Sequence, residues 1–246
     1  MARLKEYNGH YCESEYEYAF IGFLEAEGWK YSSGNNISRV TKRDVLIADD
    51  FKKFIADTNP DLTEDEVIQI YDNVRLVGAE SDFATLHKVY GWMVNGVQFT
   101  TQDGLPRMIP LIDFDNWDKN IFRVVNQFTV EYTNNGQKEN RRPDVLLFVN
   151  GMPLCVIELK NPADANATIY DAWEQINIRY WRDIPHLLHY CPLACISDGV
   201  KTRLGTVRTP YEHFYAWRRV NEGDAVSTLP FAETETMIKG VYAPER

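Results

Sequence analysis

Cysteine is scarce in this sequence, with four in 246 residues: Cys12, Cys155, Cys191 and Cys195. A disulfide framework needs denser, paired cysteines in a secreted chain, so we expect reduced thiols. The sequence also has no uninterrupted apolar run near the roughly 18 residues that span a bilayer. Its amino terminus has no apolar stretch of the kind found in secretory signals. These absences predict a cytoplasmic protein without a membrane segment.

Positive charge is in short supply too, because 26 Lys and Arg stand against 36 Asp and Glu, which gives a net charge of -10. A free-standing DNA binder usually carries a basic footprint, so this balance argues against one. Net charge does not describe local patches, however. Basic residues cluster at Lys138, Arg141 and Arg142 and again at Arg179 and Arg182. Such clusters are more often solvated surface than a binding track.

Two ligand-binding patterns are missing as well. No segment matches G-x-x-x-x-G-K-[ST], the loop that cradles nucleotide phosphates, so we expect no ATP binding of that kind within these residues. The histidines and cysteines between His186 and Cys195 do not have the spacing of a common zinc module. The leucines among them favour packing over metal binding.

An amphipathic segment from Ser14 to Gly28 predicts the first helix. Ser14 can cap its amino terminus, and Glu17 can close a capping box with it. Gly28 suits the left-handed position that follows the end of a helix.

Residues 43–95 have a helical pattern. Thr63 and Glu66 form a second potential capping box, followed by apolar residues at helical spacing. Ser81 can cap a third helix. We therefore predict an additional helical region here.

Beyond residue 96 the pattern changes to strands. The predicted strands are Val97–Thr100, Met108–Phe114, Phe122–Tyr132, two arms on either side of Asn150-Gly151, and Leu193–Ile196. A helix is predicted over Thr168–Asp183, and Phe214–Val220 is predicted as a last strand or the edge of a helix. From Asn221 onward we expect a linker and the start of a helix. The fold class predicted is α/β, with a central mixed sheet flanked by helices.

The two arms around Asn150-Gly151 form the most informative segment, because they are apolar on both faces yet contain Asp144, Glu158 and Lys160. Apolar runs on either side of Asn-Gly predict a hairpin, and runs of this kind are typical of a buried sheet centre. Burying unpaired carboxylates costs several kcal/mol, so these must be paired or hold a metal. A buried ion pair between Lys160 and a carboxylate is the structural alternative.

The register of the hairpin decides whether the three charged residues can meet. Glu158 and Lys160 are two apart in a strand and share a face. An even-length loop would place Asp144 opposite Ile157, on the other face from Glu158. A three-residue loop, or a bulge with the same effect, shifts the register by one and brings Asp144 to the shared face. We predict one of these two.

Such a triad suits phosphodiester hydrolysis. Two carboxylates, here Asp144 and Glu158, can hold Mg²⁺, a hard ion that prefers oxygen ligands, with the Leu159 carbonyl as a further ligand. The metal would activate a water, and Lys160 would orient that water or neutralise charge on the phosphate.

The segments Pro143-Asp144 and Glu158-Leu159-Lys160 match the P-D…E-x-K signature of the PD-(D/E)xK nuclease superfamily. That short pattern is degenerate, but its surroundings are more specific. Residues 142–160, together with 120–127 and 197–199, resemble the nuclease core of the restriction subunit of type I restriction enzymes. The resemblance covers roughly residues 110–220 and implies a restriction-endonuclease-like PD-(D/E)xK core.

The resemblance also implies further site residues. The family carries a glutamine and a tyrosine four positions apart after the lysine, which carries over to Gln175 as a catalytic residue. Tyr180 stands five positions away, with Arg179 in the expected tyrosine place. On an α-helix, five positions turn a side chain well away from the same face. The first helix of the superfamily often adds an acid, which makes Glu17 a third potential metal ligand.

DNA contacts are predicted at Arg141, Arg142, Arg179 and Tyr180. The resemblance implies a nuclease domain over residues 1–220, including the helical region, and a linker over 221–246 leading to a motor region beyond this chain.

The implied function is Mg²⁺-dependent endonucleolytic cleavage of double-stranded DNA within a type I restriction-modification enzyme. Its partners would be DNA and the modification (methyltransferase) and specificity subunits, with ATP used only by the motor region. Two alternatives stay open: a non-catalytic module of the same fold that binds DNA or docks on a partner, and a stand-alone DNA repair nuclease.

Overall fold

A computed structural model describes residues 13–78, 81–161, 168–227, 229 and 231–246. The strands are β1 Lys30–Ser33, β2 Val97–Thr100, β3 Pro106–Ile109, β4 Phe122–Asn126, β5 Val130–Asn134, β6 Gln137–Arg141, β7 Val145–Val149, β8 Met152–Leu159, β9 Leu193–Ser197 and β10 Thr202–Thr206. The α-helices are α1 Glu13–Ala26, α2 Ala48–Thr58, α3 Glu64–Arg75, α4 Asp82–Asn95, α5 Ile169–Glu174, α6 Trp181–Asp183, α7 Pro185–Leu188 and α8 Ala232–Met237. Gln175–Tyr180 and Ile238–Tyr242 are π-helical, and 3-10 turns cover Gly34–Asn36, Trp117–Lys119 and Tyr211–His213.

Six strands form one mixed sheet in the order β1-β4-β7-β8-β9-β10. β1 is parallel to β4 and β8 is parallel to β9, whereas β4, β7 and β8 pair antiparallel, as do β9 and β10. Two small hairpins, β2–β3 and β5–β6, lie outside this sheet. The predicted α/β class with a central mixed sheet and flanking helices is confirmed.

The sheet separates two apolar cores because successive strand residues point to opposite faces. Leu146 of β7 packs with α2–α4 and with the helical run from α5 to α7. Its neighbour Leu147 packs on the other face with α1 and α8. All five residues of β7 are buried, so the hairpin arms do form the buried centre of the sheet.

The helical region predicted over residues 43–95 is present as α2, α3 and α4. Thr63 caps α3, because its side chain accepts from the Glu66 amide while the Glu66 carboxylate accepts from the Thr63 amide at 2.8 Å. Ser81 caps α4 by accepting from the Ala84 amide. The Ser14 side chain, proposed to cap the first helix, lies outside what the structure describes. The same holds for Cys12.

The hairpin between β7 and β8 differs from the three-residue loop that we named first. Asn150 and Gly151 have φ of 51° and 77°, and Val149 pairs with Met152, so the loop has two residues. The required register shift comes instead from a bulge at Leu154, since Phe148 pairs with Pro153 and Leu147 pairs with Cys155. The bulge alternative is confirmed, and the longer loop is wrong.

Three other boundaries differ from the predictions. The strand predicted over 122–132 is two strands of different sheets, because Gln127 has a φ of 54° that breaks the extended chain. The strand starting near Met108 ends at Ile109, since Pro110 has no amide hydrogen to donate. Residues 214–220 form no regular element, and Tyr215 makes only an isolated bridge with Leu204.

The helix start expected after Asn221 is present as α8, and the segment from 231 to 246 packs onto the core. Met237, Ile238 and Tyr242 are buried in the core beside α1, and the Trp29 indole donates to the Tyr242 carbonyl at 2.6 Å. Apolar burial thus continues past residue 237, and the division into a nuclease domain over 1–220 and a linker over 221–246 stays a prediction. Within the described residues, no helix is long and apolar enough to cross a membrane.

Candidate active site

Asp144 and Glu158 lie side by side at one end of the central hairpin. Val145 pairs with Ile157, so the residues just beyond them are neighbours across the two strands. The Leu159 amide donates to Asp144 Oδ2 at 2.8 Å, and the Asp144 amide lies 3.4 Å from Glu158 Oε1. The bulge at Leu154 is therefore what brings the two acids to one face.

The Glu158 carboxylate is fully buried. Tyr180 donates its hydroxyl to Oε1 at 2.7 Å, and Gln175 donates from Nε2 to Oε2 at 2.5 Å. Burial raises the pKa of Glu158 well above its usual range, and the charge of Asp144 raises it further. Burial also raises the pKa of Asp144. A cation placed between the two carboxylates would relieve both effects.

Lys160 stands two residues after Glu158, at the end of β8. Its backbone amide donates to the Ser197 carbonyl at 2.8 Å, which fixes the chain there to β9. Its ammonium group donates to Gln175 Oε1 at 3.0 Å. Gln175 thus uses its oxygen for the lysine and its nitrogen for the glutamate, so it sets the distance between the two groups.

Tyr180 is part of this cluster, contrary to the geometry expected for an α-helix. The helix is π-helical over Gln175–Tyr180, and a π-turn repeats its hydrogen bonds every five residues rather than four. Gln175 Nε2 therefore lies 2.9 Å from the Tyr180 hydroxyl. With 1% of its surface exposed, Tyr180 stabilises the carboxylate in this structure. The DNA contact predicted for it stays a prediction.

Glu17 lies at the same end of the sheet but with different partners. Its two oxygens accept from the side-chain amides of Asn126 and Gln127, both at 2.6 Å. The Gln127 backbone amide donates to the Asp144 carbonyl at 3.0 Å, which links the two groups. Among the described residues, no three Asp, Glu, His or Cys are grouped so as to hold a metal. The metal role of Glu17 stays a prediction.

The contacts of Asn126 and Gln127 were not anticipated from the sequence. An Asn-Gln pair at the end of a predicted strand was a visible signal. Its use depended on the left-handed backbone of Gln127, which turns the side chain toward α1.

A polar cleft of about 600 Å³ opens beside Gln175 and Tyr180, and we call it the basic cleft. The cleft is lined by all four predicted DNA contacts, Arg141, Arg142, Arg179 and Tyr180. Arg142 and Arg179 are exposed. Arg141 is instead held by Asp183, with its guanidinium 2.6 Å from the carboxylate.

Comparison with known proteins shows the family of the chain. Residues 11–213 match the family described as "Type I restriction enzyme R protein N terminus". The chain belongs to this family.

Two relatives match nearly the whole chain. The putative type I restriction enzyme MjaIXP endonuclease subunit of Methanocaldococcus jannaschii is 34% identical over 254 residues, covering 93% of this chain and 24% of the relative. The type I restriction enzyme HindI endonuclease subunit of Haemophilus influenzae is 30% identical over 248 residues, covering 95% of this chain and 23% of the relative. The chain therefore spans about a quarter of the length of these relatives.

Proposed function

We propose that this chain is the nuclease part of a type I restriction enzyme and hydrolyses phosphodiester bonds of double-stranded DNA with Mg²⁺. The observation that carries the proposal is the pairing of Asp144 with Glu158 on one face, with Lys160 held beside them by Gln175. Membership of the family and the names of the two relatives support it.

The residues present fit a magnesium ion. The Asp144 and Glu158 carboxylates and the Leu159 carbonyl would supply hard oxygen ligands, and Mg²⁺ commonly keeps several waters beside one or two carboxylates. When bound, such an ion polarises the phosphate and lowers the pKa of its water. The raised pKa values of both acids fit a site that is completed by a cation.

Lys160 supplies the positive charge on the substrate side. Its ammonium group can orient the attacking water or stabilise charge that develops on the phosphate. Gln175 holds the lysine 3.0 Å from its own oxygen, so the ammonium group is positioned before DNA arrives. Tyr180 and Gln175 together orient the Glu158 carboxylate through both oxygens.

The wider assembly is part of the proposal. DNA, the methyltransferase subunit and the specificity subunit would be the partners, and ATP would act through a motor region outside these residues. The protein would work in the cytoplasm.

Calorimetric titration with Mg²⁺ or Mn²⁺ tests the metal site. We expect binding by the wild type and none by Asp144→Ala, because one of two carboxylate ligands is lost. Asp118→Asn removes an exposed acid that is not part of the site, and this control variant should bind the metal as the wild type does. Absence of binding in the wild type would favour the non-catalytic docking module, for which the net charge of -10 is the supporting observation.

Cleavage is tested in the assembled restriction complex. Lys160→Ala should keep its metal affinity and lose cleavage by about 100-fold or more, the scale of removing one group that stabilises transition-state charge. Full cleavage by this variant would contradict the catalytic role assigned to Lys160.

A further inference from the structure

We infer that the basic cleft binds a backbone phosphate of the DNA strand outside the scissile position, and that Lys42 contacts it. The inference rests on the proposed function in taking DNA as the substrate. It gives the loop that leads into α2 a role in holding that substrate.

Charge distinguishes the cleft from the rest of the surface. Among the residues described, four that line it are cationic and none is acidic, although the whole chain carries a net charge of -10. Arg141 is paired with Asp183, which also pairs with Arg182, whereas Lys42, Arg142 and Arg179 have no ion pair within the described part of the chain. Three cations without an ion pair around one cleft fit a phosphate group.

Position ties the cleft to the acid pair. Gln175 and Tyr180 line the cleft, and the same two side chains hold Glu158. A strand with one phosphate at Asp144 and Glu158 would place a neighbouring phosphate of the same strand in the cleft. Phosphate contacts of this kind fix the position of a protein on DNA without reading its sequence.

Lys42 is placed for this contact by a loop that is anchored at several points. The Lys42 carbonyl accepts from the Glu131 amide at 3.0 Å, and the Ile47 amide donates to the Gly151 carbonyl at 2.8 Å. The Arg39 guanidinium lies 3.8 Å from the centre of the Phe128 ring. The loop is thus fixed to both hairpins of the site, while the Lys42 side chain stays exposed.

The neighbouring cations of this loop do not share that position. Arg39 is stacked on Phe128, and Arg43 lines a different cavity together with His186. Among the described residues of this loop, Lys42 is the cation that lines the basic cleft. Substitution of Lys42 therefore changes the charge of this cleft and leaves the other loop cations in place.

The test is binding of a short labelled DNA duplex by this chain over a range of salt, without divalent cations so that no DNA is cut. The logarithm of the DNA affinity falls linearly with the logarithm of the salt concentration. For Lys42→Gln we expect this negative slope to become shallower by about one, because one phosphate contact is lost. Lys42→Gln should weaken the binding of two duplexes of unrelated sequence equally. Lys53→Gln removes a lysine of α2 that is paired with Asp57, and its slope should equal that of the wild type.

An unchanged slope in Lys42→Gln, a slope that falls equally in Lys53→Gln, or no DNA binding by the wild type would overturn the inference. The Lys42 side chain is exposed and not part of the core, so we expect Lys42→Gln and the wild type to have equal thermal unfolding midpoints. Equal midpoints exclude misfolding of the variant. Cleavage of DNA with Mg²⁺ by the assembled restriction complex separates the two proposals. A changed slope for Lys42→Gln, with no cleavage by the wild-type complex, would support the phosphate contact and count against the nuclease. Cleavage by the wild-type complex, with an unchanged slope for Lys42→Gln, would support the nuclease and overturn the phosphate contact.

Discussion

Glu158 holds a buried carboxylate that accepts from the neutral side chains of Tyr180 and Gln175 and, at 3.4 Å, from the Asp144 backbone amide. These neutral donors cannot match the hydration of a charged carboxylate in water, and Asp144 adds a like charge nearby. Lys160 favours the charged form, but burial is the larger effect, so without a bound metal the protonated form of Glu158 is favoured in the folded state. The two acids that could bind a metal thus lower the stability of the metal-free fold.

A pH dependence of stability follows from the raised pKa of Glu158. An unfolded Glu titrates at about 4.3, so above that pH the folded state binds more protons than the unfolded state, until the raised folded pKa is passed. Stability must fall as pH rises through this window. We expect the urea midpoint of the metal-free chain to decline as pH rises above about 4.3, in part through this group.

The control is Glu158→Gln, which cannot ionise and should show a flatter profile whatever its absolute stability. Saturating Mg²⁺ should offset the decline in the wild type, because a ligand at about 100 times its Kd adds about 2.7 kcal/mol. The same slope with pH in both proteins would show that Glu158 does not titrate as stated.

At the scale of elements, two irregularities assemble the site. The bulge at Leu154 shifts one strand by a residue, and the π-turn over Gln175–Tyr180 shifts one helix by a residue. Bulges re-aim side chains next to active sites, and π-turns often occur at functional sites. Without the first, Asp144 would face away from Glu158. Without the second, Tyr180 would point away from Gln175.

The turn of the central hairpin is also the anchor of the helical region. Gly151 has a φ of 77°, and a Cβ there would lie well inside contact distance of the Ile47 carbonyl and 2.8 Å from the Phe51 amide. Gly151→Ala should lower the free energy of unfolding by about 2–5 kcal/mol. About 1–2 kcal/mol of this is the left-handed backbone, and about 1–3 kcal/mol is overpacking. Urea denaturation measures it.

Gly136→Ala is the matched control for that measurement. Gly136 has a φ of 78°, and a Cβ there would meet nothing within 4 Å. It should cost only the backbone contribution, about 1–2 kcal/mol. Equal losses at the two glycines would contradict the close approach of the loop before α2.

At the scale of the whole molecule, the segment containing α8 closes the second core. The Glu233 carboxylate accepts from the Thr202 amide at 2.8 Å, which ties α8 to the edge strand β10. Met237 and Tyr242 fill the space next to α1. The apolar core therefore extends past residue 237.

A chain that stops at residue 220 should lose most of its stability. Burying each large apolar side chain contributes about 1.5–3 kcal/mol, and Met237, Ile238 and Tyr242 would all be removed. Since whole domains are stable by only about 5–15 kcal/mol, we expect aggregation or a much lower urea midpoint. Met237→Ala alone should cost about 2–5 kcal/mol. An unchanged midpoint for the shortened chain would show that α8 is dispensable.

Much of the molecule could be predicted from the sequence because the signals are local. The capping residues Thr63 and Ser81 mark helix starts by bonds that span three residues. The Asn150-Gly151 pair marks a hairpin, and the continuous apolar arms mark its burial. The charged residues within those arms predict a site by the cost of burying them.

The amino-acid sequence by itself determined the class of fold, the central hairpin and the identity of the two acids and the lysine, because each depends on residue type and short-range spacing. Tertiary structure alone decided three things: that a bulge and not a longer loop sets the register, that Tyr180 returns to Glu158 through a π-turn, and that Glu17 is held by Asn126 and Gln127. Each of these is a choice between conformations of similar local energy. Contacts between residues far apart in the chain select among them.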